Sequence, residues 1–159
     1  MDAGAVFSKC SKYRYLLWRI WDPKGPLWSF GMLNPSTADH LELDPTITRC
    51  RNRAETGGAG GLLIWNLFAY RATFPADLKA AKEPIGSEND AAIFKACAAS
   101  DIVIAGWGAH GSHRNRDHDL RGKLAKANVE LHALAFTKYG LPRHPLYLSY
   151  QLRPEKWVY

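Results

Sequence analysis

Two short apolar runs constrain this chain more than any other feature. Leu62 to Leu67 (LLIWNL) follows two glycines and is apolar everywhere but Asn66, and Asp101 to Trp107 (DIVIAGW) is a second such run. A strand with one wet face alternates polar and apolar residues, whereas a run that does not alternate is covered on both faces. Val129 to Phe136 (VELHALAF) reads as a further strand. Helical patterns lie between these runs. Asp44-Pro45 is an N-cap followed by a proline suited to the first turn of a helix, which then runs through Ile47, Cys50 and Ala54 to Gly57-Gly58. Ser87 with Asp90 resembles a capping box before Ile93, Phe94, Cys97 and Ala98, and a basic helix is expected over about Asn115 to Ala127. Strands alternating with helices predict an α/β fold, a three-layer sandwich with a short, mostly parallel sheet flanked by helices.

The aromatic segments Tyr13 to Trp21 and Leu27 to Leu33 flank the turn sequence Asp22-Pro23-Lys24-Gly25, which predicts an N-terminal antiparallel hairpin. With 159 residues, 47% of them hydrophobic and 23% charged, the chain is expected to form a single α/β domain over 1–159. No run reaches the length of a membrane span, and the start lacks the basic-then-apolar pattern of a secretory signal. Cys10, Cys50 and Cys97 are too widely spaced for a cysteine-clustered metal site or a disulfide framework. The expectation is a soluble cytoplasmic protein with no membrane partner, and the sequence does not set its oligomeric state.

The net charge of +6 is uneven. Residues 1–109 carry 12 basic and 11 acidic side chains, and residues 110–159 carry 9 and 4, with five of the six histidines. A basic terminal third suits a polyanion, which makes nucleic acid or a nucleotide the expected partner.

In a parallel sheet, ligands bind at the carboxyl ends of the strands. This selects four loops: Asn34 to Thr37, Asn66 to Arg71, Gly106 to Gly111, and Arg143 to Ser149. Asn34 either caps the turn before Pro35 or holds a water or ligand. Asn66 interrupts an apolar strand, and a buried carboxamide needs partners; it either braces a neighbouring loop or reads the amide edge of a base. The glycines of the third loop let backbone approach a ligand closely, yet it is neither a Walker motif nor a dinucleotide fingerprint. His110, His113, Asp117, His118 and Asp119 match no metal-ligand spacing, so no metal and no cofactor is expected. His144, between Arg143 and Pro145, suits polarising a leaving group.

NPSTAD, D-P-T-I-x-R, NLFAYRAT, P-I-G-x-x-N-D, GWGAHG and R-H-P-L-Y-L, in this order, resemble the bacterial and phage family catalogued as domain of unknown function 1643, over nearly the whole chain. More distantly, the loop order is similar to the uracil-DNA glycosylase superfamily, an α/β sandwich around a short parallel sheet. Gly31-Met32-Leu33-Asn34-Pro35 resembles the G-I-N-P motif of its mismatch-specific branch. Asn66 falls where that superfamily ends a strand in a base-reading Asn, and Gly106 to His110 resembles its L-W-G-x-x-A segment. His144-Pro145-Leu146-Tyr147-Leu148-Ser149 is similar to its H-P-S-P-L-S loop, with Leu146-Tyr147 in place of Ser-Pro. Ser36 stands where the mismatch-specific motif has glycine.

The resemblance implies nucleobase or nucleotide recognition, with N-glycosidic bond hydrolysis as the specific reaction. Asn34 would hold the water and His144 would stabilise the departing base. Asn66 would read the base edge, with Phe68, Tyr70 or Trp107 stacked on it. Phosphate contacts would come from Ser36, Thr37, Arg71, Gly108, His110, Arg143 and Ser149, and from Arg114, Arg116 and Arg121 of the basic helix. Two other readings fit the same residues: a non-catalytic nucleotide or nucleic-acid binding module, and an enzyme acting on a small phosphorylated metabolite with Gly106 to Gly111 holding the phosphate.

Overall fold

The computed structural model describes residues 1–37 and 44–158; Ala38 and Asp39 of the first motif lie outside them. Seven strands form one mixed sheet: β1 (Asp2–Phe7), β2 (Arg14–Ile20), β3 (Leu27–Met32), β4 (Gly61–Asn66), β5 (Ile102–Ala105), β6 (Leu131–Ala133) and β7 (Glu155–Lys156), in the order β1-β2-β4-β3-β5-β6-β7. The inner pairs β4–β3, β3–β5 and β5–β6 are parallel, and β1–β2, β2–β4 and β6–β7 are antiparallel. The helices are α1 (Pro45–Thr56), α2 (Pro75–Ala80), α3 (Asn89–Ala99) and α4 (Arg116–Lys126).

Alternation along the strands divides the core in two. Leu63 and Trp65, with Val103, Ala105 and Leu131, pack against Ile93, Ala96 and Cys97 of α3 and Leu120 and Leu124 of α4. Phe30, Met32, Leu62, Ile64 and Ile104 point the other way, onto Cys50 and Ala54 of α1. Helices therefore cover both faces, which gives the three layers. Among the described residues, no helix is long and apolar enough to cross a membrane.

Three expectations are corrected. The sheet is mixed rather than mostly parallel, because two antiparallel strands extend one edge and a third closes the other. The expected hairpin between the two aromatic segments does not form: β4 lies between β2 and β3. The backbone of Gly60 enters the turn, accepting from the N–H groups of Trp21 and Asp22 and donating to the Pro26 carbonyl, with the Gly25 backbone close against it. An all-apolar strand gains most from neighbours on both edges, so β4 takes the interior and the less apolar β2 is displaced outward. The N-terminal hairpin instead joins β1 to β2. Finally, Ser87 does not cap α3; its N-cap is Glu88, which makes no side-chain cap bond, and Asp90 pairs with Arg116 and Lys123. Asp44 does cap α1, its carboxylate accepting from the N–H groups of Thr46 and Ile47 at 2.7 and 3.3 Å.

The register of the centre depends on Gly31. A Cβ there would lie 2.3 Å from the Trp65 indole on the adjacent strand. Gly31→Ala is expected to destabilise the protein by about 1–3 kcal/mol through overpacking. Gly122 within α4 has open space around it, so Gly122→Ala is expected to stabilise by about 0.5–1 kcal/mol. Urea unfolding of the two variants checks both signs.

Candidate functional site

Numbered by chain order among themselves, the four parallel strands run 2-1-3-4. The connection after β3 therefore leaves on one side of it and the strand after β4 returns on the other. This reversal opens a crevice at the carboxyl ends of β3 and β5, the place where doubly wound sheets bind ligands. Here the ladder continues beyond the strands: Leu67 and Phe68 donate to the carbonyls of Met32 and Leu33, and Gly106 donates to that of Gly31. The loops after β3, β4 and β5 are thereby held at one level.

A cavity of about 410 Å³ occupies this position, lined by Met32 at the end of β3 and residues 33–36 after it, Asn66 at the end of β4, residues 107–110 after β5, the start of α1, Arg14 and His144. That volume is in the range of small-ligand sites, about 300–1,000 Å³. Met32, Leu33, Ile47 and Ile64 form an apolar wall, against which a few polar groups stand out.

Asn66 is 1% exposed, and its Nδ2 is buried with no hydrogen-bond partner. The bracing role expected as its alternative belongs to another residue: the Asn89 side chain donates to the main-chain carbonyls of Asn66 and Leu67. A buried amide without an acceptor costs about 1–3 kcal/mol. Asn34 differs. Its Nδ2 donates to the carbonyls of Pro35 and Ala72 at 3.0 and 2.8 Å, tying two cavity loops together. With its donors committed, Oδ1 remains as an acceptor for a water or a ligand N–H.

His144 precedes a short 3₁₀ turn, Pro145–Tyr147, and its Nδ1 accepts from the Leu146 N–H at 3.1 Å. In the neutral ring the proton then sits on Nε2, which is a donor. Burial pushes the pKa of His144 down from its ordinary value, against an opposing pull from Asp44. The turn is anchored from two sides. Gly106 leaves room for Pro145, whose Cδ would lie 3.0 Å from a Cβ there. Arg53 of α1 donates to the carbonyls of Leu148 and Leu152 at 3.1 Å, and Arg49 also binds the Leu148 carbonyl while stacking on Tyr150.

The structure brings together Asn34, Ser36, Asn66, Trp107, Gly108, His110 and His144 at the cavity. Ser36 donates to the Asp44 carboxylate at 3.3 Å, and His110 is exposed at the rim. Gly108 has φ +72°, a conformation that favours glycine. Other expected residues lie elsewhere. Phe68 is wholly buried in the core against His113, and Tyr70, Thr37 and Arg71 line a separate groove beside Phe74. Trp107 reaches the cavity but is only 2% exposed, packed between Trp65 and Trp157, so among the described residues no aromatic face is open for stacking there. Arg71 is spent on the carbonyls of Ser11 and Thr37.

Arg143 is exposed, and the Ser149 hydroxyl accepts from the Gln151 N–H. The three arginines expected on the basic helix make contacts within the fold. Arg116 is buried on Asp90 and the Leu67 carbonyl, Arg114 holds the carbonyls of Ala81 and Lys82, and Arg121 stacks over Trp157. Two charged residues of the cavity, Asp44 and Arg14, are not among the expected site residues. Asp44 was legible only as a helix cap, and Arg14 only as one cation in an aromatic strand.

These features define an α/β protein with a donor-rich cavity at the switch point of its sheet. The chain belongs to the family described as Protein of unknown function (DUF1643), whose profile matches residues 14–146. All the residues lining the cavity fall within that stretch. No curated protein and no solved structure matches the chain.

Because the folded state resists protonating His144, it binds fewer protons there than the unfolded chain. Its contribution to stability is therefore lost as pH falls below about 6.5. An NMR titration is expected to place the His144 midpoint below 6.5, and His144→Gln to flatten the decline in stability between about pH 7 and 5.

Proposed function

We propose that the cavity recognises a nucleobase or nucleotide, and that N-glycosidic bond hydrolysis is the reaction it performs. The observation that carries this reading is the buried carboxamide of Asn66, which has a donor and no acceptor in an otherwise apolar wall. The amide edge of a base offers an adjacent acceptor and donor, the complement of one carboxamide. The resemblance of the Asn34, Asn66, Gly106 to His110 and His144 segments to the uracil-DNA glycosylase superfamily supports the same assignment.

In this reading Asn34 Oδ1 accepts a hydrogen bond from a water held near the anomeric carbon. The water oxygen bonds to that carbon as the C–N bond breaks, the bonding pair leaves with the base, and the proton the bound water then loses passes to solvent, from which the base anion is protonated. His144 Nε2–H stabilises the negative charge that develops on a base oxygen. Asp44 is the one carboxylate among the described lining residues, and its oxygens are already engaged by Thr46, Ile47 and Ser36. The water is thus positioned rather than deprotonated, and turnover is slow.

One observation favours a binding module instead. Asn34 spends one donor contact on the Pro35 carbonyl of its own turn and the other on the Ala72 carbonyl, a bracing role that requires no chemistry. The base-release assay separates the two. Single- and double-stranded DNA and RNA oligonucleotides carrying uracil, hypoxanthine, mismatches or modified bases are incubated with wild type and with Asn34→Ala, Asn66→Ala and His144→Ala. Abasic product from wild type is expected to fall about 10²-fold or more in each variant. Binding without product identifies the module, and variants as fast as wild type contradict the site.

A further inference from the structure

Arginines are the most instructive side chains of this fold, because two of the three buried ones among the described residues are visibly employed. Arg53 and Arg116 are 3% and 2% exposed; Arg53 holds two main-chain carbonyls, and Arg116 holds Leu67 and Asp90. Arg14 is as deeply placed, at 5% exposed, and its side chain is employed by nothing among the described residues. It opens β2, where its main-chain N–H donates to the Ala69 carbonyl, and its side chain lines the cavity. Among the described residues the guanidinium makes no hydrogen bond and no ion pair, and its Nε is sealed from solvent without an acceptor. Burial pulls its pKa to about 10, with Asp44 opposing and Arg71 and Arg19 adding, so the group stays charged at neutral pH.

An isolated guanidinium in such a place is strongly unfavourable unless something else completes it. Asp44 does not complete it by contact, since its carboxylate is taken up by the cap of α1 and by Ser36. The cavity holds one more buried donor without an acceptor, Asn66 Nδ2. Both unmet groups are N–H donors. The missing ligand therefore brings acceptors, and at Arg14 a negatively charged one. A planar fork of N–H groups matches the oxygens of a phosphate, and it does so best where water is excluded.

We infer that Arg14 is the anion receptor of the cavity and that its ligand is a nucleoside phosphate, held by the phosphate at Arg14. This rests on the nucleobase reading above for the rest of the ligand. The phosphate is either that of a free nucleotide or one within a single strand.

Calorimetric titration tests this on the full chain with four sets of probes: inorganic phosphate, the common nucleosides, their 5′- and 3′-monophosphates, and single-stranded hexanucleotides. Wild type is expected to bind a monophosphate or a hexanucleotide at least about tenfold more tightly than the matching nucleoside. That ratio falls to about one in Arg14→Met and is partly kept in Arg14→Lys, which retains a charge but not the fork. Without ligand, Arg14→Met unfolds at the wild-type temperature or above it, because the substitution removes an unpaired buried charge.

Preference for monophosphates identifies a free nucleotide, and preference for hexanucleotides a strand; both support the receptor. Arg14-dependent binding of phosphate that is indifferent to the base also supports it, and removes the nucleobase reading instead. A ratio unchanged in Arg14→Met, a sharply lower unfolding temperature in that variant, or no binding by any probe overturns the receptor. Nucleoside binding indifferent to phosphate also overturns it, while leaving Asn66 as base reader.

Discussion

The carboxyl edge of this sheet is set by the contact between Gly31 and Trp65. Gly31 pairs with Trp65 on one side and with Ala105 on the other, and the indole fills the space a side chain would take. That packing fixes Met32 opposite Asn66, and the residues just beyond are then level. Asn34, Asn66 and the Gly106 to His110 loop come from segments far apart in the chain and meet because three parallel strands end together. A slip by one residue would send Asn66 to the opposite face, into the core beneath α3.

The loops above that edge are held by polar contacts rather than by further core. Asn34 ties its own turn to Ala72, Asn89 ties α3 to the end of β4, and Arg53 with Arg49 ties α1 to the segment after His144. These contacts leave the cavity preformed, with its polar groups fixed by bonds they make elsewhere. The same bookkeeping explains the electrostatics. Carboxylates near the site are spent on capping and pairing, so the groups left over are donors. A cavity that is apolar on one side and donor-rich on the other selects a flat ligand carrying several acceptors.

Much of this was legible in the sequence, for physical reasons that can be named. The apolar runs of β4 and β5 do not alternate, so their burial was readable, and Asp44-Pro45 announced α1 through cap chemistry. The rule that ligands gather at strand ends then found Asn34, Asn66, Gly108 and His144 without knowledge of their spacing in three dimensions. What failed was pairing. Tyr13 to Trp21 and Leu27 to Leu33 look like a hairpin because turn residues join them, but nothing local reveals that β4 inserts between them. The strand β1, DAGAVF, was missed because small and polar residues on a sheet edge carry no strong period.

Side-chain roles were harder still. Phe68 and Tyr70 follow Asn66 directly, yet the chain turns after β4 and carries them away from the cavity. Arg116 stands in the charged stretch Arg114 to Asp119 and Arg14 in an aromatic strand, and neither neighbourhood reveals which of them will be paired. Only the fold gives one of them a carboxylate and leaves the other with an unmet charge. The central claim is that the Asn66 carboxamide meets a nucleobase, and its side-chain N–H₂ resonances in ¹⁵N-labelled protein report on it directly. Titration with nucleosides, monophosphates and short oligonucleotides should shift those two proton signals downfield and saturate with the ligand, as an acceptor fills the vacant position. If a ligand binds while the Asn66 amide signals stay in place, the cavity recognises its ligand by other groups and the assignment fails.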